Sequence, residues 1–165
     1  MRKKIMLILL ITVVLFISIY MLGACVKRKN NIIHDNDLLY SVTTAFIDLK
    51  VDVYYSKDEK SINTYNSFFD GNIHYLHEID ENTKLGKLML QKIGEKKYDM
   101  FYYDVESFEE YENKIKTSKH NKSFAIYYTK DGYLHVYIPN SSDAVFPWEN
   151  GEEIQIHTKV YHKFD

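Results

Sequence analysis

The feature that most restricts the fold of this chain is an uncharged, apolar run near its N-terminus, Ile5 to Leu22. The basic residues Arg2-Lys3-Lys4 precede this run, and the small residues Gly23 and Ala24 close it. A basic segment, an apolar segment and small residues in this order are the layout of a secretory signal. Eighteen residues, at about 1.5 Å per residue, are also just enough to span a membrane as a helix. An uncleaved membrane anchor is therefore the alternative.

The only cysteine of the chain, Cys25, follows the small residues directly. The segment Leu22-Gly23-Ala24-Cys25 resembles the lipobox of bacterial lipoprotein precursors, in which the chain is cut before the cysteine and lipid is added to its sulfur. Two acyl chains, at about 0.8 kcal/mol per buried CH₂, hold a protein stably on a membrane. The basic segment Lys27-Arg28-Lys29 favours cleavage, because basic clusters on both sides of a spanning helix give it no orientation. We expect a signal peptide over residues 1–24 and a lipid anchor at Cys25, on the outer face of the cell membrane.

Charge is distributed unevenly along the chain. Cleavage removes three of the 21 basic residues and none of the 23 acidic ones, which leaves 18 basic residues and a formal net charge of −5. Lys27, Arg28 and Lys29 lie next to the anchor, where each basic side chain gains about 1 kcal/mol near anionic lipid. These three residues are the predicted contacts with an anionic membrane surface. The acidic remainder makes a nucleic acid an unsuitable partner.

The polar segment that follows Cys25 separates the anchor from the rest of the chain. Residues 25–37 carry few periodic apolar positions, and we predict that they form a lipidated, flexible, basic tether. Residues 38–165 have the length of one globular domain. Because Cys25 carries the lipid, this domain has no cysteine for a disulfide and depends on its core.

Alternating apolar and polar residues predict a β-rich domain. Between Ala45 and Tyr55 every second residue is apolar, which is the period of a half-buried strand. Asp131-Gly132 is the strongest hairpin signal, because these residues accept the backbone angles of a tight turn. The predicted strands are 45–55, 73–79, 98–105, 123–129, 133–138 and 154–162.

Two short helices interrupt these strands. Residues 83–93 place apolar residues on one stripe and meet Gly94 as a stop, and Ser107 to Glu110 form a capping box ahead of the second helix. The predicted fold class is α+β, with a mostly antiparallel β-sheet of about six strands and two short helices. A small lipocalin-like β-barrel is the alternative.

Motifs for catalysis or metal binding are missing from the sequence. His74 and His77 stand three residues apart, so on a strand they point to opposite faces, and the spacing of the other histidines is not that of a zinc site. The chain has no Gly-rich phosphate loop and no Gly-x-Ser-x-Gly motif. We expect neither an enzyme nor a cofactor or metal site.

The whole chain resembles the lantibiotic immunity lipoproteins of Gram-positive producers. The features that carry the resemblance are the lipobox ending at Cys25, the basic segment Lys27-Arg28-Lys29, the overall length and a single strand-rich body without an enzyme motif. The resemblance implies a protein that binds its own cell's cationic lantibiotic peptide at the membrane surface, beside an ABC exporter.

Charge and aromatic content agree with such a partner. The alternation of residues 45–55 places Asp48 and Asp52 on the exposed face of the predicted strand, where they become the predicted peptide contacts. Exposed tyrosines provide contact area at small entropic cost. Two alternatives remain, a ligand-binding surface lipoprotein of lipocalin-like form and a surface enzyme of unknown reaction.

Overall fold

The computed structural model describes residues 2–95, 105–118, 122–129, 132–139 and 155–159. The first 55 of these form one helix, and other described elements pack against its C-terminal half. In chain order the elements are α1 (Arg2–Ser56), α2 (Glu59–Ser67), β1 (Ile73–Tyr75), a 3-10 turn (Leu76–Glu78), α3 (Lys84–Glu95), α4 (Phe108–Asn113), β2 (Ala125–Tyr128), β3 (Tyr133–Tyr137) and β4 (Gln155–Lys159).

Helix α1 has two halves with different surroundings. From Ile5 to Leu22 its apolar side chains are exposed, and the hydroxyl groups of Thr12 and Ser18 donate hydrogen bonds to carbonyl oxygens one turn earlier. These bonds satisfy the hydroxyl groups inside an otherwise apolar surface. The C-terminal half packs against α3, β3 and β4.

The C-terminal half of α1 is amphipathic. Its buried side chains recur at intervals of three and four residues, which brings them to one side of a helix. The apolar ones are Leu38, Leu39, Val42, Ala45, Phe46, Leu49 and Val53. Two buried tyrosines from other elements bind this half as well, since the hydroxyl of Tyr65 donates to the carbonyl of Phe46 and that of Tyr111 to the carbonyl of Leu38.

The four described strands form one antiparallel sheet in the order β1-β2-β3-β4. Ile73 pairs with Tyr127, Ile126 with Val136, and Val136 in turn with Ile156. Ile126, Leu134 and Val136 are fully buried and join the residues of α1 in one core. The sheet therefore covers the apolar side of the C-terminal half of α1.

The predicted fold class is wrong. The described chain is mostly helical and carries a small antiparallel sheet, rather than a sheet of about six strands with two short helices. Residues 45–55, predicted as the first strand, lie in α1, and residues 76–79 of the second are a 3-10 turn and its end. The lipocalin-like alternative is wrong for the described strands too, because they form an open sheet and not a closed barrel.

Several local predictions are confirmed. Strands β2, β3 and β4 lie within the predicted ranges, and α3 covers nearly all of the predicted helix over 83–93. The predicted stop at Gly94 is wrong, because α3 continues to Glu95. The hydroxyl of Ser107 accepts from the backbone N–H of Glu110 at 3.1 Å and begins α4 as an N-cap. Gly132 has a φ of +88° and closes the hairpin through a 3.0 Å bond to the carbonyl of Thr129. Residues 98–104 of the third predicted strand lie outside the described residues.

The segment predicted as a tether is helical in the structure. Residues 26–37 continue α1 without a break, and Asp35 is fully buried. The helix that begins with the apolar run thus reaches the core of the domain directly.

Candidate membrane anchor and exposed face of helix α1

The exposed apolar half of α1 is the most unusual surface of the described chain. Among the described helices, α1 alone is long and apolar enough to cross a membrane. This property is compatible with a signal peptide or a membrane anchor. Cys25 follows the apolar surface and is exposed on the helix, where its sulfur is open to modification.

Asp35 joins α1 to the segment that follows α4. Its carboxylate accepts hydrogen bonds from the backbone N–H groups of Lys116 and Thr117, at 2.9 Å and 2.7 Å, and from the hydroxyl of Thr117 at 2.6 Å. The ring of His34 contacts the carbonyl of Lys114 at 3.1 Å. A buried carboxylate with three donors is well satisfied, so the helix is held firmly at this level.

The side of α1 that points away from the core carries several exposed large side chains. Ile33, Tyr40, Val51 and Tyr55 are exposed by 50%, 40%, 52% and 84% of their surfaces. At about 100° per residue these four positions fall within roughly 60° of one another around the helix. Large apolar and aromatic side chains therefore follow one line along α1, beginning about 12 Å above Cys25.

Acidic residues accompany this line. Asp37 and Asp48 are exposed and lie within about 60° of it, whereas Asp52 lies further around the helix. Asp52 forms an ion pair with Lys92 of α3 at 3.0 Å, and this hydrogen bond raises the pKa of the Lys92 amine. Of the two predicted peptide contacts, Asp48 therefore lies on the exposed face of α1, and Asp52 lies at its border in a pair. Both belong to a helix and not to a sheet.

A second group of titratable residues surrounds His74 on β1. Its Nε2 contacts Asp70 and its Nδ1 contacts Glu78, each at 3.0 Å. Partial desolvation lowers the pKa of the ring, but the bonds to Asp70 and Glu78 outweigh it and raise the pKa of His74 above its usual value. Bonds from Asn72, together with the contact to His74, lower the pKa of Asp70 to about 2. The arrangement stabilises the turn between α2 and β1.

Glu112 on α4 is the buried acid of this region. Burial raises the pKa of its carboxyl, although the N–H of Phe124, at 3.1 Å, and the ring of His77, at 3.3 Å, both favour the ionised form. Through these bonds Glu112 connects α4 to β2 and to the 3-10 turn. Its role is thus structural.

Metal ligands do not converge in the described residues, which contain no group of three or more His, Cys, Asp or Glu side chains able to hold an ion. Asp70 and Glu78 bind opposite nitrogens of the His74 ring, so they do not point at a common centre. His157 belongs to β4, and His162 lies outside the described residues.

A cleft of about 320 Å³ lies between the N-terminal ends of α2 and α3. Its walls include Asp58, Lys60, Asp80 and Lys84. Asp58 accepts from the N–H of Ser61, and the hydroxyl of Thr83 accepts from the N–H of Gly86 at 3.1 Å. The chain itself thus caps both helices.

Comparison with protein-family models, with curated proteins and with solved structures finds no match to this chain. The candidate site therefore rests on the geometry of α1 alone.

Sequence reasoning missed Asp35 and the exposed face of α1. The signal for the face was present, because Ile33, Tyr40, Val51 and Tyr55 follow helical spacing on the side opposite to the buried stripe. Asp35 gave no such signal, since its donors lie more than 80 positions away in the sequence.

Proposed function

We propose that this chain is a lipid-anchored immunity lipoprotein, which binds a cationic lantibiotic peptide at the outer face of the cytoplasmic membrane and so protects its own cell. The observation that carries the proposal is the exposed face of α1, where apolar, aromatic and acidic side chains lie together and begin close to Cys25. The lipobox supports cleavage and lipidation at this cysteine.

The exposed face of α1 suits a cationic amphipathic peptide. Tyr40, Val51 and Tyr55 offer apolar and aromatic contact area, and Asp37 and Asp48 offer negative charge beside it. An acidic body raises the rate at which a cationic peptide arrives, and anchoring keeps the protein in the layer that the peptide must cross. The net charge of −5 after cleavage agrees with such steering.

The direct experiment is expression of the full chain in a sensitive Gram-positive strain, followed by measurement of growth against subtilin and related peptides. We expect selective tolerance to one cationic lantibiotic, because a shaped face discriminates between peptides whereas general charge does not. Cys25→Ala should abolish lipid labelling and reduce tolerance, because the protein is released or mislocalised. If the anchored protein gives no tolerance to any such peptide, the proposal is wrong.

A pair of charge-matched variants tests the face itself. Asp37→Asn with Asp48→Asn removes two carboxylates from the exposed face of α1, and Glu59→Gln with Glu106→Gln removes two exposed carboxylates from α2 and from the segment before α4. The first pair should slow peptide association several-fold at low salt and less at high salt, and the second pair should have a smaller effect. Equal effects of the two pairs would mean that only net charge matters.

A further inference from the structure

The end of the domain nearest the membrane carries a second basic segment, in the loop between α4 and β2. Residues 113–124 contain four lysines and no acidic residue. Three of these lysines belong to the described residues: Lys114, Lys116 and Lys122. The net charge of the domain is negative, whereas the net charge of this loop is positive.

The contacts of α1 with this loop determine how far the loop lies from Cys25 along the helix axis. Asp35 binds the backbone of Lys116 and Thr117, and His34 contacts the carbonyl of Lys114. Asp35 lies ten residues after Cys25, which is about 15 Å along the helix axis. An extended lysine side chain and one Debye length, about 10 Å at 0.1 M salt, together cover this distance. The loop therefore lies at the level of His34 and Asp35, about 9 Å along the helix axis beyond Lys29.

The three described lysines of the loop have different neighbours. Lys114 pairs with Glu110 at 3.1 Å, and the carboxylate of Asp35 points inward to backbone N–H groups. Lys116 is exposed, and the amine of Lys122 donates to a neutral acceptor, the carbonyl of Asn113, at 2.9 Å. Lys116 and Lys122 thus bring positive charge to the end of the domain nearest Cys25.

We propose that the loop of Lys114, Lys116 and Lys122 is a second contact site for anionic lipid headgroups, which acts together with Lys27, Arg28 and Lys29. The proposal rests on the membrane anchoring in the proposed function but not on the lantibiotic. Closeness to the lipid anchor at Cys25 and opposite charge both identify the partner as an anionic bilayer surface. Contact at two separate points of the chain holds the domain upright on the membrane.

The test uses the full chain in nanodiscs of phosphatidylcholine alone or of an equal mixture with phosphatidylglycerol. A water-soluble amine-reactive reagent labels the lysines, and mass spectrometry of peptides gives each labelling rate. In the anionic bilayer we expect labelling of Lys116 and Lys122 to slow by about fivefold, the factor for one basic side chain at an anionic surface, and to recover at high salt. Lys57 and Lys60, at the far end of α1, should react at equal rates in both bilayers.

Matched variants distinguish the effect of the loop lysines from the effect of the protein's net charge. Lys116→Gln with Lys122→Gln should weaken the protection of Lys114 in the anionic bilayer, and Lys57→Gln with Lys60→Gln should not. Equal labelling of the loop in both bilayers, with Lys27 and Lys29 still protected, would overturn the loop contact and leave anchoring intact. Protection that is equal in both bilayers and insensitive to salt would mean steric cover and would also overturn it. Failure of the chain to associate with nanodiscs would overturn the anchoring and the loop contact together.

Discussion

His74 lies between two carboxylates, and its charge decides how much those contacts stabilise the fold. Asp70 and Glu78 bind its two ring nitrogens, so both contacts are strong only when the ring is protonated. The ring of Phe68, with its centroid 4.9 Å away, covers one side of the imidazole. His74 therefore makes part of the stability depend on pH.

The first prediction concerns the pH dependence of this contribution. Because the pKa of His74 in the folded protein lies above its value of about 6.5 in the unfolded chain, the stabilisation is complete below about pH 6.5 and is lost as the pH rises through the folded value. Thermal unfolding in mild detergent should show a larger loss of stability for His74→Gln at about pH 5.5 than at about pH 9. Lys87→Gln, at an exposed position, serves as the control. A loss that is equal at both pH values would contradict this prediction.

For residues 45–55 of α1, a helix and a strand predict different burial of Leu49 and Val51. On a strand Leu49 and Val51 share one face, whereas on a helix they point about 160° apart. The structure buries Leu49 completely and leaves Val51 52% exposed. Leu49→Ala should lower the free energy of unfolding by about 2–5 kcal/mol, and Val51→Ala by less than about 1 kcal/mol. Similar losses at the two positions would favour the strand.

Local signals explain which elements were predictable from the sequence. Gly132 in its turn and Ser107 at its cap act through neighbours within a few residues, so their chemistry is legible in the chain itself. Residues 45–55 carry two periods at once, because the alternation from Ala45 to Tyr55 overlaps the helical spacing of Leu38, Val42, Leu49 and Val53. The helical period prevails, since the helix extends from upstream and the sheet covers its apolar side. The same ambiguity between helix and strand prevented the exposed face of α1 from being predicted. Asp48 was predicted to be exposed, which agrees with the structure, but it lies on a helix and not on the predicted strand.

At the scale of the whole molecule, α1 runs as one helix from Cys25 into the core of the domain. Cys25 and Tyr55 belong to one helix and are separated by about 45 Å along its axis. Asp35 and His34 join the helix to the segment after α4, so the exposed face of α1 has a fixed direction relative to the rest of the described domain. A flexible tether, as predicted for residues 25–37, would let the domain turn freely and lie on the bilayer.

The last prediction distinguishes the stiff helix from the tether. Asn30 is exposed and precedes the first buried residue of α1, Asp35. Asn30→Pro removes a helical hydrogen bond and clashes with the preceding turn, at a local cost of about 3 kcal/mol, while the core of the domain keeps its contacts. Energy transfer from a fluorophore at position 55 to acceptor lipids should show a shorter and broader distance to the membrane for Asn30→Pro than for Asn30→Ala. Amide exchange over residues 26–33 should accelerate in the proline variant alone, since the alanine variant keeps the helix. If Asn30→Ala and Asn30→Pro give the same distance and the same rapid exchange, the segment is already a flexible tether, and the exposed face of α1 has no defined direction above the membrane.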